Sequence, residues 1–243
     1  MSIIKPKIFE KFPEIKSGLS TRFCGNGEPP YYFNLSYRVG DKNEKVRENR
    51  KIFFKELGIE EDLVSFQRQT HSVKSNHVKS PAFFEDSDAL YTNLKNNFLA
   101  VSIADCIPVL LYEPDKKVVA AIHSGWKGTL NNITSVTINK LIKEFSIDVE
   151  KIIAYIGPGI SVNNFEVGKD VADLFDEGVK ENRDGKYFID LKKHNYIQLQ
   201  KIGVRNENIE VSGYCTFKEK DLFHSYRRDR DKSGRMLAVI GMV

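Results

Sequence analysis

A chain of 243 residues, 41% of them hydrophobic, has the length for one large core or two small ones, and it reads as a single domain over residues 1–243. A formal charge of +4 permits a phosphate-bearing ligand without demanding nucleic acid, because acids and bases interleave everywhere except around Arg227, Arg228, Arg230 and Arg235. Three widely spaced cysteines, Cys24, Cys106 and Cys215, argue against a disulfide framework, and no segment approaches the roughly 18 apolar residues of a membrane helix or carries a secretory leader, so a cytoplasmic protein is expected.

Residues 44–57 carry Val46, Phe53 and Leu57 among many charges and are followed by Gly58, which predicts an exposed amphipathic helix with a glycine stop. Short apolar runs at 63–66, 98–103, 108–112 and 118–122, each bounded by turn or polar residues, predict buried strands. Pro114-Asp115-Lys116-Lys117 is a turn signal between the last two, so residues 108–122 are expected to form an antiparallel hairpin. Cys106 then precedes its first strand and His123 follows its second, at the same end. Ile133, Val136, Leu141, Ile142 and Phe145 recur at helical spacing and predict a helix over 129–145. Its start, just after Gly125 and Gly128, would offer free backbone N–H groups to an anion. Further on, residues 152–156 read as a strand ending in Gly157-Pro158-Gly159, residues 169–175 and 191–202 as helices, and residues 209–212 and 236–240 as strands. There is no internal repeat, low-complexity tract or long linker. The mixture predicts an α+β fold with mixed or antiparallel sheets covered by helices.

His71, Cys106 and His123 sit in three separate segments, each at or near the end of an apolar run and crowded by small, polar or turn-forming residues. Two imidazoles and a thiolate are a donor set that zinc accepts. No CxxC or HxxxH pair supplies a fourth ligand, so the natural site is an open one. Taken singly, each of the three is as readily an ordinary core residue, and their spacing is too long to form a motif.

The words around these residues resemble a known family, the bacterial laccase-domain or polyphenol-oxidase-like proteins, also described as purine nucleoside phosphorylases and peptidoglycan-editing factors. Ser20-Thr21-Arg22, Phe33-Asn34-Leu35 and Gly40-Asp41 are similar to its opening signature, Gln69-Thr70-His71 to its first ligand motif, and Asp88-Ala89-Leu90 with Thr92 to its aspartate-containing turn. The longest matches are Ala104-Asp105-Cys106-Ile107-Pro108-Val109-Leu110-Leu111 and Ala121-Ile122-His123-Ser124-Gly125-Trp126-Lys127-Gly128-Thr129. The remainder adds Ile156-Gly157-Pro158, Phe165-Glu166-Val167-Gly168, Cys215-Thr216, Ser225-Tyr226-Arg227-Arg228-Asp229 and Ser233-Gly234-Arg235-Met236. Departures are Cys24 and Ser36 where glycine is common, Ser124 for alanine, Lys127 for arginine, and the link Arg230-Asp231-Lys232. A lysine at 127 meets phosphate as a point charge rather than a fork.

The resemblance implies a layered α/β/β/α arrangement, with His71, Cys106 and His123 as ligands of a metal that is usually zinc and sometimes copper. It implies phosphorolysis of adenosine, inosine and methylthioadenosine to base plus ribose 1-phosphate, together with adenosine deamination. The alternatives are a hydrolase editing cell-wall precursors, a copper polyphenol oxidase and a non-catalytic metal-binding protein. Five histidines are too few for the blue copper and trinuclear cluster of a true laccase. Zinc deaminases pair the metal with a glutamate in His-x-Glu, which this chain lacks. That leaves Asp105 or Asp88 as the proton carrier or, equally, as a group that holds a histidine. Arg22, Arg227, Arg228 and the helix start after Gly128 are candidates for phosphate, and Asn34 for a hydrogen bond to substrate, against the simpler readings of a solvated charge run and a turn asparagine. Trp126 stacks on a base or anchors packing, and Cys24 and Cys215 are ordinary thiols. The expected partners are a purine nucleoside and phosphate, with neither nucleic acid nor membrane, and the oligomeric state is not readable.

Overall fold

The computed structural model describes residues 3–23 and 27–243, so Cys24 lies outside the described residues. In chain order the first elements are β1 (Ile3–Ile4), β2 (Ile15–Ser20), α1 (Asn43–Leu57), β3 (Val64–Gln67), β4 (Ser75–His77), β5 (Phe83–Phe84), β6 (Ala89–Thr92) and β7 (Phe98–Ile103). Then come β8 (Ile107–Glu113), β9 (Val118–Ser124), α2 (Trp126–Leu130), α3 (Ile133–Phe145), β10 (Ile153–Ile156), β11 (Glu166–Val167) and α4 (Lys169–Ala172). The last are β12 (Lys180–Arg183), β13 (Lys186–Ile189), α5 (Leu191–Ile202), β14 (Ile209–Val211), α6 (Tyr226–Asp229) and β15 (Met236–Met242).

Two six-stranded sheets, ordered β1-β2-β15-β7-β3-β5 and β14-β10-β8-β9-β6-β4, are both mixed, and a small sheet β11-β13-β12 stands apart from them. Leu19, Leu99, Val101, Ala238 and Ile240 of the first large sheet pack directly on Leu90, Leu110, Tyr112, Val119 and Ala121 of the second. The outer face of the first is covered by Phe53, Phe54 and Leu57 of α1, and that of the second by Ile133, Ile138 and Leu141 of α3 with Leu191 and Leu199 of α5. The result is the α/β/β/α layering expected of the resemblance: each sheet is apolar on both faces and needs a cover on each. No helix among the described residues is long and apolar enough to cross a membrane.

The amphipathic helix forms as read: α1 buries Val46, Phe53, Phe54 and Leu57, and Gly58 ends it at φ 66°, its N–H returning to the carbonyls of Lys55 and Phe54. The hairpin β8–β9 also forms, with Pro108 opposite His123 and Glu113 opposite Val118. Three expectations need correction. The helix expected over 129–145 is two helices, because Asn132 takes a left-handed φ of 59°, a conformation asparagine tolerates well. The first of them begins at Trp126 with Gly125 as its N-cap, ahead of Gly128. The helix over 169–175 closes after Ala172, and the chain then turns into the small sheet. That sheet escapes a pattern reading because β12 is Lys-Glu-Asn-Arg on an exposed surface, with no apolar alternation to betray it.

Candidate metal centre

Three elements bring the donors together. Cys106 stands immediately before β8 and His123 is the penultimate residue of β9, so the antiparallel register sets both at one end of the hairpin. His71 arrives from the loop between β3 and β4, which is pinned at two points. Gln69 forms a two-way bond with the backbone of Ser102 on β7, its Nε2 donating to the carbonyl and its Oε1 accepting the N–H, both at 2.7 Å. Asp88 accepts the backbone N–H groups of Thr70, His71 and Ser72 at 3.2, 3.1 and 2.6 Å and the Ser72 hydroxyl at 2.8 Å. The ligand atoms of His71, Cys106 and His123 then lie within 4.8 Å of one another, and this is the one such cluster among the described residues.

Strain marks the same place. His71 holds φ 58° and Asp105 φ 92°, values that side-chain-bearing residues rarely keep unless their surroundings impose them. For Asp105 the surroundings are explicit: Oδ1 accepts the Thr216 hydroxyl at 2.7 Å, Oδ2 the Arg227 N–H at 2.6 Å and its carbonyl the Ile160 N–H at 2.8 Å.

A transition metal fits these donors on two grounds. Borderline imidazoles beside a soft thiolate suit zinc or copper and not the hard cations. Gly125 also lines the cluster so closely that a Cβ there would lie 2.4 Å from His71 Nδ1 and 3.2 Å from Cys106 Sγ. Its φ of −71° is open to any residue, so the glycine is there for space. Gly125→Ala is therefore expected to keep the fold and weaken metal retention about tenfold, comparable to loss of a group that orients a ligand. Elemental analysis with a melting curve checks this, and undiminished metal content would show that the gap does not serve the ligands.

His123 is fully enclosed and hydrogen-bonds Asp88 Oδ1 through Nδ1 at 2.8 Å, which leaves Nε2 for a ligand. Against the cost of burial, Cys106 and Asp88 hold its imidazole up at about 9. Asp88 is itself held at about 2: burial pushes it up, but its bonds to His123 and Ser72 outweigh that. Burial, followed by the neighbouring His123, lowers His71.

The donors open onto a cavity of about 820 Å³, well within the range of small-molecule sites. Its walls include Gln69, Ser102 and Arg235 near the donors, with Arg38, Tyr37, Phe66, Phe83 and Tyr226 also contributing. The arginines singled out in the sequence lie elsewhere. Arg228 spends its guanidinium on Asp229 and on the carbonyls of Thr216, Phe217 and Phe223. Arg22 reaches the Lys220 carbonyl and Asp229 and lies 4.0 Å over the Tyr32 ring, and Arg227 donates to the Glu166 carbonyl at 2.9 Å. Asn34 builds a turn, bonding the Ser36 backbone in both directions, and accepts the Arg235 N–H at 2.9 Å. Trp126 packs against the core beneath the second sheet, with the Lys127 ammonium 5.5 Å from its ring. Cys215 is buried and its sulfur bonds Ser161 and Asn164. Arg235 lines the cavity, yet the sequence reading gives it no role beyond the C-terminal arginine run and the Ser233-Gly234-Arg235-Met236 match.

Fold and donors together define an α+β protein with a candidate two-histidine, one-cysteine metal site at one end of the central β8–β9 hairpin. The chain belongs to the family described as multi-copper polyphenol oxidoreductase laccase, whose model matches residues 16–243. It is 32% identical to the purine nucleoside phosphorylase YlmD of Bacillus subtilis over 94% of this chain and 89% of that protein. It is 38% identical to the purine nucleoside phosphorylase of Deinococcus radiodurans, again over 94% and 89%. Among solved structures it superposes on the hypothetical protein YfiH of Bacillus licheniformis with a TM-score of 0.92 at 31% identity, covering 100% of this chain and 97% of that one. YlmD of Geobacillus stearothermophilus gives 0.91 at 29% identity, covering 100% and 96%. The multi-copper description does not match the donors here. Of the other three histidines, His77 pairs with Glu144, His194 packs on Phe175, and His224 is fully buried and not part of the cluster.

Proposed function

We propose that the protein is a metal-dependent purine nucleoside phosphorylase that cleaves adenosine, inosine and methylthioadenosine to free base and the sugar 1-phosphate, and that also deaminates adenosine. The observation that carries this reading is the convergence of His71, Cys106 and His123 on the wall of a cavity large enough for a nucleoside. The similarity to proteins named purine nucleoside phosphorylase supports it. Zinc is the metal proposed, because among the described residues no further histidine, cysteine or carboxylate joins the three donors, which leave an open position. When bound, such a metal supplies a Lewis acid and an acidified water.

The protein's own residues then do three things. Asp88 fixes the Nδ1–H tautomer of His123 and holds the His71 loop, acting through both histidines rather than on substrate. Asp105, with both carboxylate oxygens engaged, holds Cys106 in place and ties it to the α6 segment. The cavity walls bind sugar and base while phosphate attacks the anomeric carbon, the C–N bond breaks and the departing nitrogen takes a proton. Incubation of the metal-loaded protein with adenosine, with and without phosphate, tests the reading. Phosphate-dependent adenine release is expected, with inosine reporting deamination, and absence of both products retires it.

A further inference from the structure

We propose that Arg235 forms the oxyanion subsite of the cavity and binds inorganic phosphate on the wall it shares with His71, Cys106 and His123. The inference rests on the phosphorylase reading and assigns its second substrate a place.

Comparison among the arginines singles it out. Every guanidinium nitrogen of Arg228 has a protein acceptor, Arg50 bonds the Leu35 carbonyl and Glu61, and Arg68 bonds the Glu85 carbonyl and lies 3.5 Å from its carboxylate. Arg38 also lines the cavity but is exposed, so water already solvates its charge. Arg235 is partly buried, forms no ion pair among the described residues, and uses Nη1 alone, on the carbonyls of Ser233 at 2.7 Å and Gly234 at 3.0 Å. A cation withdrawn from water without a carboxylate is costly, and an anion in the cavity would offset that cost. Nε and Nη2 remain as a planar fork, the geometry that matches two oxygens of a phosphate.

The side chain is also held in place. The backbone N–H of Arg235 is fixed by Asn34 Oδ1 at 2.9 Å, and the preceding Gly234 lies so close to the buried His224 that a Cβ would meet its ring at 2.6 Å. The Tyr226 ring, 5.6 Å from the guanidinium, covers another side. Asn34 thus serves the anion at one remove, by placing Arg235.

Titration of inorganic phosphate into the metal-loaded protein, read by calorimetry or 31P resonance, tests the assignment against Arg235→Gln and Arg235→Lys. Removing a charge-assisted fork is expected to raise the phosphate dissociation constant and the KM for phosphate about tenfold or more in Arg235→Gln, with metal content and the KM for nucleoside unchanged. Arg235→Lys, which keeps the charge without the fork, is expected to fall between, and it carries the test if the glutamine variant does not fold. Equal phosphate binding by wild type and Arg235→Gln overturns the proposal, as does no phosphate binding by wild type. A parallel titration with adenosine 5′-monophosphate separates sources: Arg235-dependent binding of the ester alone overturns the inorganic-phosphate assignment. Arg235-dependent phosphate binding without adenine release would retire the phosphorolysis reading and leave the subsite standing. Adenine release indifferent to Arg235→Gln would do the reverse.

Discussion

Cys106→Ala is expected to lose most of the bound metal and to lower turnover on the order of a thousandfold, about 4 kcal/mol of transition-state stabilisation, while leaving the fold intact. The size follows from the donor count: with His71 and His123 alone, two neutral imidazoles remain and the anionic sulfur that offsets the metal's charge is gone. The fold should survive because the hairpin that carries Cys106 is held by the seven-residue ladder Ile107–Glu113 against Val118–Ser124 and by buried side chains on both faces, not by the thiol. Elemental analysis, a melting curve and adenosine turnover measured together check this. Full metal content with full turnover would show that Cys106 is no ligand.

Asp88→Ala should act on stability and metal together. Asp88 is completely buried and accepts from three consecutive backbone N–H groups, a hydroxyl and the His123 ring. Removing it leaves the buried His123 ring and several part-buried donors of the His71 loop unpaired at once, at a cost of about 3–5 kcal/mol, or a drop in Tm on the order of 10 °C. Asp88→Asn keeps the shape and loses the charge, so it is expected to retain more stability while weakening metal affinity about 10–100-fold. The carboxylate also sets an acid limit. Its folded pKa, about 2, lies below the usual value, so its contribution is present above pH ~4 and is lost as pH falls toward 2. Asp88→Asn should flatten that limb of the stability profile. Denaturation of the metal-free protein between pH 5 and 2 measures it, and an unchanged profile would place the acid sensitivity elsewhere.

The elements legible in the sequence are those whose signals are local. Gly58 after an amphipathic run, the Pro114–Lys117 turn between two apolar runs, and the small residues around His71, Cys106 and His123 each declare themselves within a few positions. The break at Asn132 was not legible, because helical spacing continues through it and the left-handed residue is identified only by its dihedral angle. Nor was the division of labour among the arginines. Arg227 and Arg228 fall in α6, where their guanidinium groups bond the carbonyls of Glu166, Thr216, Phe217 and Phe223, whereas Arg235, its backbone N–H held by Asn34, lines the cavity.

Chain order and residue chemistry thus pointed to the α+β class and, with the family resemblance, nominated three candidate metal ligands, since periodicity, turn residues and donor type are properties of short stretches. Only the packed molecule decides that those donors meet and that Asp88 is a clamp: the Asp88 contacts span 16 to 35 residues, His71 and His123 lie 52 positions apart (123 − 71), and both depend on the β8–β9 register and on a loop pinned from β7. The same holds for Arg235 on the cavity wall, because a side chain's direction follows from the elements closing around it, and no neighbouring residue in the sequence encodes that.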